Sequence, residues 1–185
     1  MQNEQIINEA IAYADWLWPG IEGFFHVLEH SKQGYVSSLE GARKIIWIFK
    51  DWVENNGGWK DIQSCDSQHT ECAIHRWIQL GAKAYIADHN LDMSCENNIG
   101  VGQEDIKISR GNDKTIIEVK LSSNSGCVHG YKTQLPRYAE AEHIKNMIFV
   151  LVRVDDKDWN LVKTSDDDPD LIVIDSRPQK SASKI

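Results

Sequence analysis

Cysteine is scarce in this chain of 185 residues, and its spacing is wrong for the usual work of cysteine pairs. Cys65, Cys72, Cys95 and Cys127 contain no Cys-x-x-Cys, so neither a disulfide framework nor a zinc ribbon is indicated. Long apolar runs are missing as well. The longest, Met147 to Val152, is far too short to span a bilayer, so no membrane partner is expected. The opening residues Met1-Gln2-Asn3-Glu4-Gln5 lack the basic region of a secretory leader, and the expected location is cytoplasmic. Positive charge is in deficit: the net charge of −8 argues against broad electrostatic attraction to nucleic acid. The deficit is uneven, with −3 over residues 1–60, −4 over 61–99, −2 over 146–185 and +1 over 100–145. What remains is ordinary. The apolar share of 41% and charged share of 26% suit a soluble globular fold of one domain, with room for an extra subdomain.

The first sixty residues read as helices. Ile6, Ile7, Ala10, Ile11, Ala14 and Leu17 recur at helical spacing until Pro19-Gly20, and a second helix is expected over 22–31. A third starts at an N-cap Ser37 or Ser38, with Glu40 placed for a capping box, and carries Ile45, Ile46, Phe49 and Val53 to Asn55-Asn56-Gly57-Gly58. That Gly-rich stretch marks the expected boundary of a helical N-terminal subdomain, 1–58, which is read as a partner- or substrate-facing module. Trp16, Trp18, Trp47, Trp52 and Trp59 fall here, and packing is the favoured role for aromatics at helical spacing.

From residue 59 the pattern becomes mixed. A helix is expected over 68–80 with Gly81 just past its end, then a weak strand over 84–89. Strands follow over 104–109 and 114–121, a polar loop over 122–130, a helix over 133–143, a buried strand over 147–154 and a last strand over 170–175. Residues 176–185 read as a flexible tail. The order is that of an α/β layer fold.

The two central strands carry the chemistry. Gly111-Asn112 between them is a two-residue hairpin signal, so opposed residues have numbers summing to 223. Asp105 then faces Glu118, Lys107 faces Ile116, and Gln103 faces Lys120. Side chains alternate, so Asp105, Glu118 and Lys120 share one face while Ile106, Ile108, Ile117, Val119 and Leu121 take the other. Opposed carboxylates repel unless a cation or proton intervenes; they are either splayed into solvent or a metal site. One or two carboxylates suffice to hold Mg²⁺ beside a phosphate, and a neighbouring ammonium can orient the attacking water.

The stretches Gly102-Gln103-Glu104-Asp105-Ile106, Ile116-Ile117-Glu118-Val119-Lys120-Leu121 and Gly130-Tyr131-Lys132-Thr133-Gln134-Leu135-Pro136-Arg137-Tyr138 together resemble the PD-(D/E)XK nuclease superfamily. Its members place an Asp at a strand start, Glu-x-Lys on the paired strand, and often Gln-x-x-x-Tyr on a following helix. The resemblance covers about residues 68–154, and Glu104 departs from the Pro that often precedes the Asp. It implies an α/β, restriction-endonuclease-like mixed sheet flanked by helices, spanning 59–175, with the all-helical extension outside it. It further implies Asp105 and Glu118 as ligands of Mg²⁺ or Mn²⁺ and Lys120 as the catalytic lysine. Glu71 matches a metal-binding Glu on the preceding helix; a solvated glutamate favoured by the helix dipole is the competing reading. Gln134 and Tyr138 are implied to line the site, although helix packing also accounts for Tyr138.

His129, Lys107 and Lys132 are candidates for contacting phosphate. Cys65, His69, Cys72 and His75 have zinc-binding residue types, but the first three form a simple helical stripe. Asp166 to Asp170 reads as a solvated turn. The expected function is hydrolysis of phosphodiester bonds, in DNA before RNA. The alternatives are a toxin or defence nuclease acting on RNA or tRNA with a protein partner, and a non-catalytic nucleic-acid-binding relative. A homodimer through the N-terminal helices would set two sites against two strands.

Overall fold

A computed structural model describes residues 36–67, 69–98 and 103–179. The helices expected over residues 6–17 and 22–31, and the turn at Gly100 and Gly102, lie outside the described residues. The compact unit that carries the sheet begins at Val36.

Helix α1, Ser38–Asn55, begins as its sequence requires. Ser37 is the N-cap, its side chain accepts from Glu40 N, and the Glu40 carboxylate answers Ser37 N at 2.9 Å. The capping box satisfies two donors that the first helical turn leaves open. One face of α1 buries Ala42, Ile45, Ile46, Phe49 and Val53, each large one contributing roughly 1.5–3 kcal/mol. The helix is pinned to the sheet at its start, where Ser38 N and Oγ donate to the Asp113 carboxylate at 2.7 and 2.8 Å. It therefore covers the sheet, and the subdomain boundary expected at Asn55–Gly58 falls inside this unit. There the left-handed Gly57 (φ 84°) merely turns the chain into a short helix α2, Gly58–Ser64.

Helix α3, Thr70–Asp88, runs past Gly81 and replaces the strand expected over 84–89. Its buried stripe of Ile74, Ile78 and Ala82 continues through the glycine, and the half-buried Tyr85 and Ile86 pack on the same core. Continued burial outweighs the roughly 1 kcal/mol that a mid-helix glycine costs.

Five strands follow: β1 Asp92–Asn98, β2 Gln103–Arg110, β3 Asp113–Leu121, β4 Asn146–Arg153 and β5 Leu171–Asp175. They form one mixed sheet in the order β1-β2-β3-β4-β5, with the first two pairings antiparallel and the last two parallel. The expected hairpin register holds: Ile106 pairs with Ile117, Lys107 with Ile116 and Arg110 with Asp113, closed by Gly111 at φ 61°. The edge strand β1 has no counterpart among the expected elements.

Between β3 and β4 the chain is helical earlier than expected. α4 is Cys127–His129, Gly130–Gln134 makes a wider π turn, and α5 is Leu135–Ala141. The π turn leads straight into Pro136, whose ring the first turn of α5 tolerates. A last turn, α6, covers Leu161–Thr164.

The sheet has an apolar core on each face. Ile106, Ile108, Ile117, Val119, Leu121, Ile148, Val150, Val152 and Ile174 pack beneath α1, α2 and α3. Ile116, Phe149, Leu151 and Leu171 pack beneath α4 to α6. Trp52 and Trp59 join the first core, as packing residues should, whereas Trp47 is exposed; Trp16 and Trp18 lie outside the described residues. The tail is tied down at its start. Ser176 is buried and bonded to Arg153 O, Arg177 grips Asp175, and Gln179 reaches Glu54 O; residues 180–185 lie outside the described part. No helix among the described residues is long and apolar enough to cross a membrane.

Candidate active site

On β3, Glu118 and Lys120 share the side of Ile116, the face covered by α4 to α6. Being charged, they ought to avoid a strand that is buried on both faces, yet Glu118 is fully buried and Lys120 nearly so. Their company explains how. Lys120 Nζ lies 2.8 Å from Glu118 Oε1, 3.3 Å from Glu71 Oε1 and 3.7 Å from Asp105 Oδ2.

Asp105 reaches this point because β2 leaves β3 there. The β2–β3 ladder starts at Ile106–Ile117, and one residue earlier the Asp105 carboxylate takes over, Oδ2 accepting from Val119 N at 2.7 Å. Asp105 and Glu118 thus sit on one side of the hairpin as the alternation requires, but they are not a ladder pair.

Helix α3 contributes His75 from its buried stripe and the partly exposed Glu71 from the edge of it. Glu71 and His75 stand one turn apart, on either side of Ile74, and His75 Nε2 is 3.8 Å from Asp105 Oδ2. Ligating atoms of Glu71, His75 and Asp105 lie within 4.8 Å of one another, the one such group of three among the described residues; Glu118, expected as a ligand, is not part of it and joins the cluster through Lys120. Cys65, His69 and Cys72 do not join it; His69 pairs with Asp66 instead. His75, grouped in the sequence with the cysteines, stands beside Glu71 and Asp105 instead. Its signal was available, since positions 71, 74, 75 and 78 form one helical stripe.

The electrostatics follow from burial. Three carboxylates face one ammonium, leaving two negative charges in excess when all are ionised. Burial, with the facing Asp105 adding to it, raises the Glu118 carboxyl to about 7 against the pull of Lys120. Asp105 is also held above the usual carboxylate range, by burial first, although Lys120, His75 and the Val119 N–H all oppose it. Burial alone would lower the Lys120 pKa; Asp105 and Glu118 more than offset this and keep the ammonium charged. Beyond its ion pair with Lys120, Glu118 has no hydrogen-bond partner for either oxygen among the described residues. Such a site fits a further cation, because Lys120 balances only one of the three carboxylates and buried charge is costly unless it is paired.

The remaining candidates stand further off. Gln134 Nε2 donates to Tyr138 Oη at 2.7 Å, and Tyr138 packs in the second core, so the contacts of this pair are those of helix packing. Lys107 Nζ donates to Glu142 at 3.1 Å. Lys132 and His129 are exposed on the segment that covers this face. Gly130 in that segment packs close to the site: a Cβ there would stand 3.5 Å from the Lys120 side chain and 3.3 Å from Phe149. In the acidic run, Asp168 accepts from Tyr131 Oη and Asp170 pairs with Arg43, which makes it a bonded turn.

A family model described as "Domain of unknown function (DUF8371)" matches residues 38–156, more than half of the chain. No curated protein and no solved structure matches it.

Proposed function

The chain belongs to the DUF8371 family, and since that family brings no activity with it, we propose from the site alone that this is a metal-dependent nuclease. The observation that carries the proposal is the meeting of Glu71, Asp105 and Glu118 around Lys120 at the point where β2 leaves β3. The mixed sheet with helices on both faces is the layout a restriction-endonuclease-like member would have, and the Asp105, Glu118 and Lys120 set supports that assignment.

Asp105 and Glu71 would hold the ion, and Glu118, paired with Lys120 at 2.8 Å, would add its charge to the same centre. A divalent ion there supplies Lewis-acid polarisation of the scissile phosphate and lowers the pKa of a bound water. The protein's own work is positional. Val119 N–H fixes the Asp105 carboxylate, and the charged Lys120 donates toward the attacking water and the negative charge that develops on the phosphate oxygens. Exposed Lys132 and His129 lie on the same side of the fold and would meet the backbone of a bound strand.

DNA is the first substrate to try, with RNA or tRNA the second. The test is incubation of the purified protein with Mg²⁺ or Mn²⁺ and a panel of plasmid, linear duplex, single-stranded DNA and tRNA, with and without chelator. Metal-dependent cleavage of any of them supports the proposal. Failure on the whole panel, in protein shown to bind the ion, overturns it.

A further inference from the structure

His75 is only 7% exposed, yet neither ring nitrogen has a hydrogen-bond partner among the described residues. That is unusual, since buried polar groups are nearly always bonded. A core histidine of the ordinary kind gives one nitrogen to a carbonyl or carboxylate. This one faces Asp105 Oδ2 at 3.8 Å, beyond hydrogen-bond reach, with the Glu71 carboxylate one helical turn away. An unbonded imidazole nitrogen beside two carboxylates has the donor types that bind a divalent transition ion.

We propose that His75 is a metal ligand, and that Glu71, His75 and Asp105 form a mixed nitrogen and oxygen site selecting divalent transition ions of the Mn²⁺ class over Mg²⁺. The inference rests on the metal-centre part of the function proposed above and deepens it by naming the class of ion. Mg²⁺ is hard, favours oxygen and gives up its waters reluctantly. Imidazole suits borderline ions, and affinity for a given nitrogen and oxygen site rises along the first transition row. Two carboxylates with one imidazole, and no thiolate, suit Mn²⁺ and leave it open positions for water and phosphate oxygens.

The full-length protein, stripped with chelator, is titrated with Mn²⁺ by following the electron paramagnetic resonance signal of free Mn²⁺, alone and against increasing Mg²⁺. The site should hold Mn²⁺ at least about tenfold more tightly than Mg²⁺, and His75→Ala should remove about tenfold or more of that preference while changing Mg²⁺ affinity much less. Should His75→Ala fail to fold, spin-echo spectra of Mn²⁺ on the wild-type protein answer the question without a variant. Modulation from an imidazole nitrogen, altered by ¹⁵N-histidine labelling, is expected. Its absence on bound Mn²⁺, or a preference that survives in folded His75→Ala, overturns the inference. The two proposals fail separately: cleavage with no imidazole signal sinks only the His75 assignment, and an imidazole signal with no cleavage sinks only the nuclease reading.

Discussion

Val119 N donates to Asp105 Oδ2 at 2.7 Å, so a side chain takes the place of the next rung of the β2–β3 ladder. The bond lets β2 turn away from β3 without orphaning a backbone donor, and it fixes one carboxylate of the cluster. Asp105→Asn keeps an acceptor for Val119 N, whereas Asp105→Ala strands that donor in a buried place at a cost of about 1–3 kcal/mol. In thermal unfolding without metal, Asp105→Ala should be the less stable of the two. In a metal titration both should lose divalent binding. Equal stability of the pair would mean that the bond does not hold the strand.

The metal-free protein should lose stability as pH rises from about 4.5 to about 7, the interval between the ordinary value of a glutamate carboxyl and the raised value of Glu118 in the folded protein. The sign follows from proton uptake. In this window the folded state binds the proton more tightly than the unfolded state, so the contribution is complete below 4.5 and gone above 7. Glu118→Gln should flatten that part of a plot of melting temperature against pH. Because a bound ion replaces the proton, divalent stabilisation of the wild type should grow across the same window. An unchanged pH profile in Glu118→Gln would assign the effect to another group.

Gly81→Ala should stabilise the protein by up to about 1 kcal/mol, since a Cβ there meets nothing within 4 Å and alanine is the better helix former. Gly58→Ala should do the opposite, because its Cβ would stand 2.6 Å from the Trp52 ring. Urea unfolding of both variants measures this. A destabilising Gly81→Ala would contradict a helix continuous from Thr70 to Asp88.

Some of this was legible in the residues and some was not. Gly111-Asn112 set the register because a two-residue turn and strict alternation leave one pairing. The capping box at Ser37 and Glu40 was equally plain. Gly81 misled because glycine usually ends helices, while the stripe of Ile74, Ile78 and Ala82 that overrides it is weaker in sequence than in packing. The edge strand over Asp92–Asn98 is mostly polar and gains its place from β2 rather than from any pattern of its own. Asn55–Gly58 resembled a boundary because burial of α1 on the sheet is a tertiary fact. At the site, Asp105, Glu118, Lys120 and Glu71 could be assembled from spacing and resemblance. His75 was weighed beside cysteines that turn out to lie apart from it, and only the fold sets it against Asp105.

Lys120 carries the central claim, since it is both the balancing charge of the carboxylate cluster and the proposed donor to the reacting water. The most direct measurement is nucleic-acid cleavage by wild type and Lys120→Ala at saturating Mg²⁺ or Mn²⁺, with metal occupancy measured on the same samples. The account predicts cleavage by the wild type, abolished by chelator, and a loss of about 10²-fold or more in folded Lys120→Ala that still binds the ion. Undiminished cleavage by metal-loaded Lys120→Ala would contradict it.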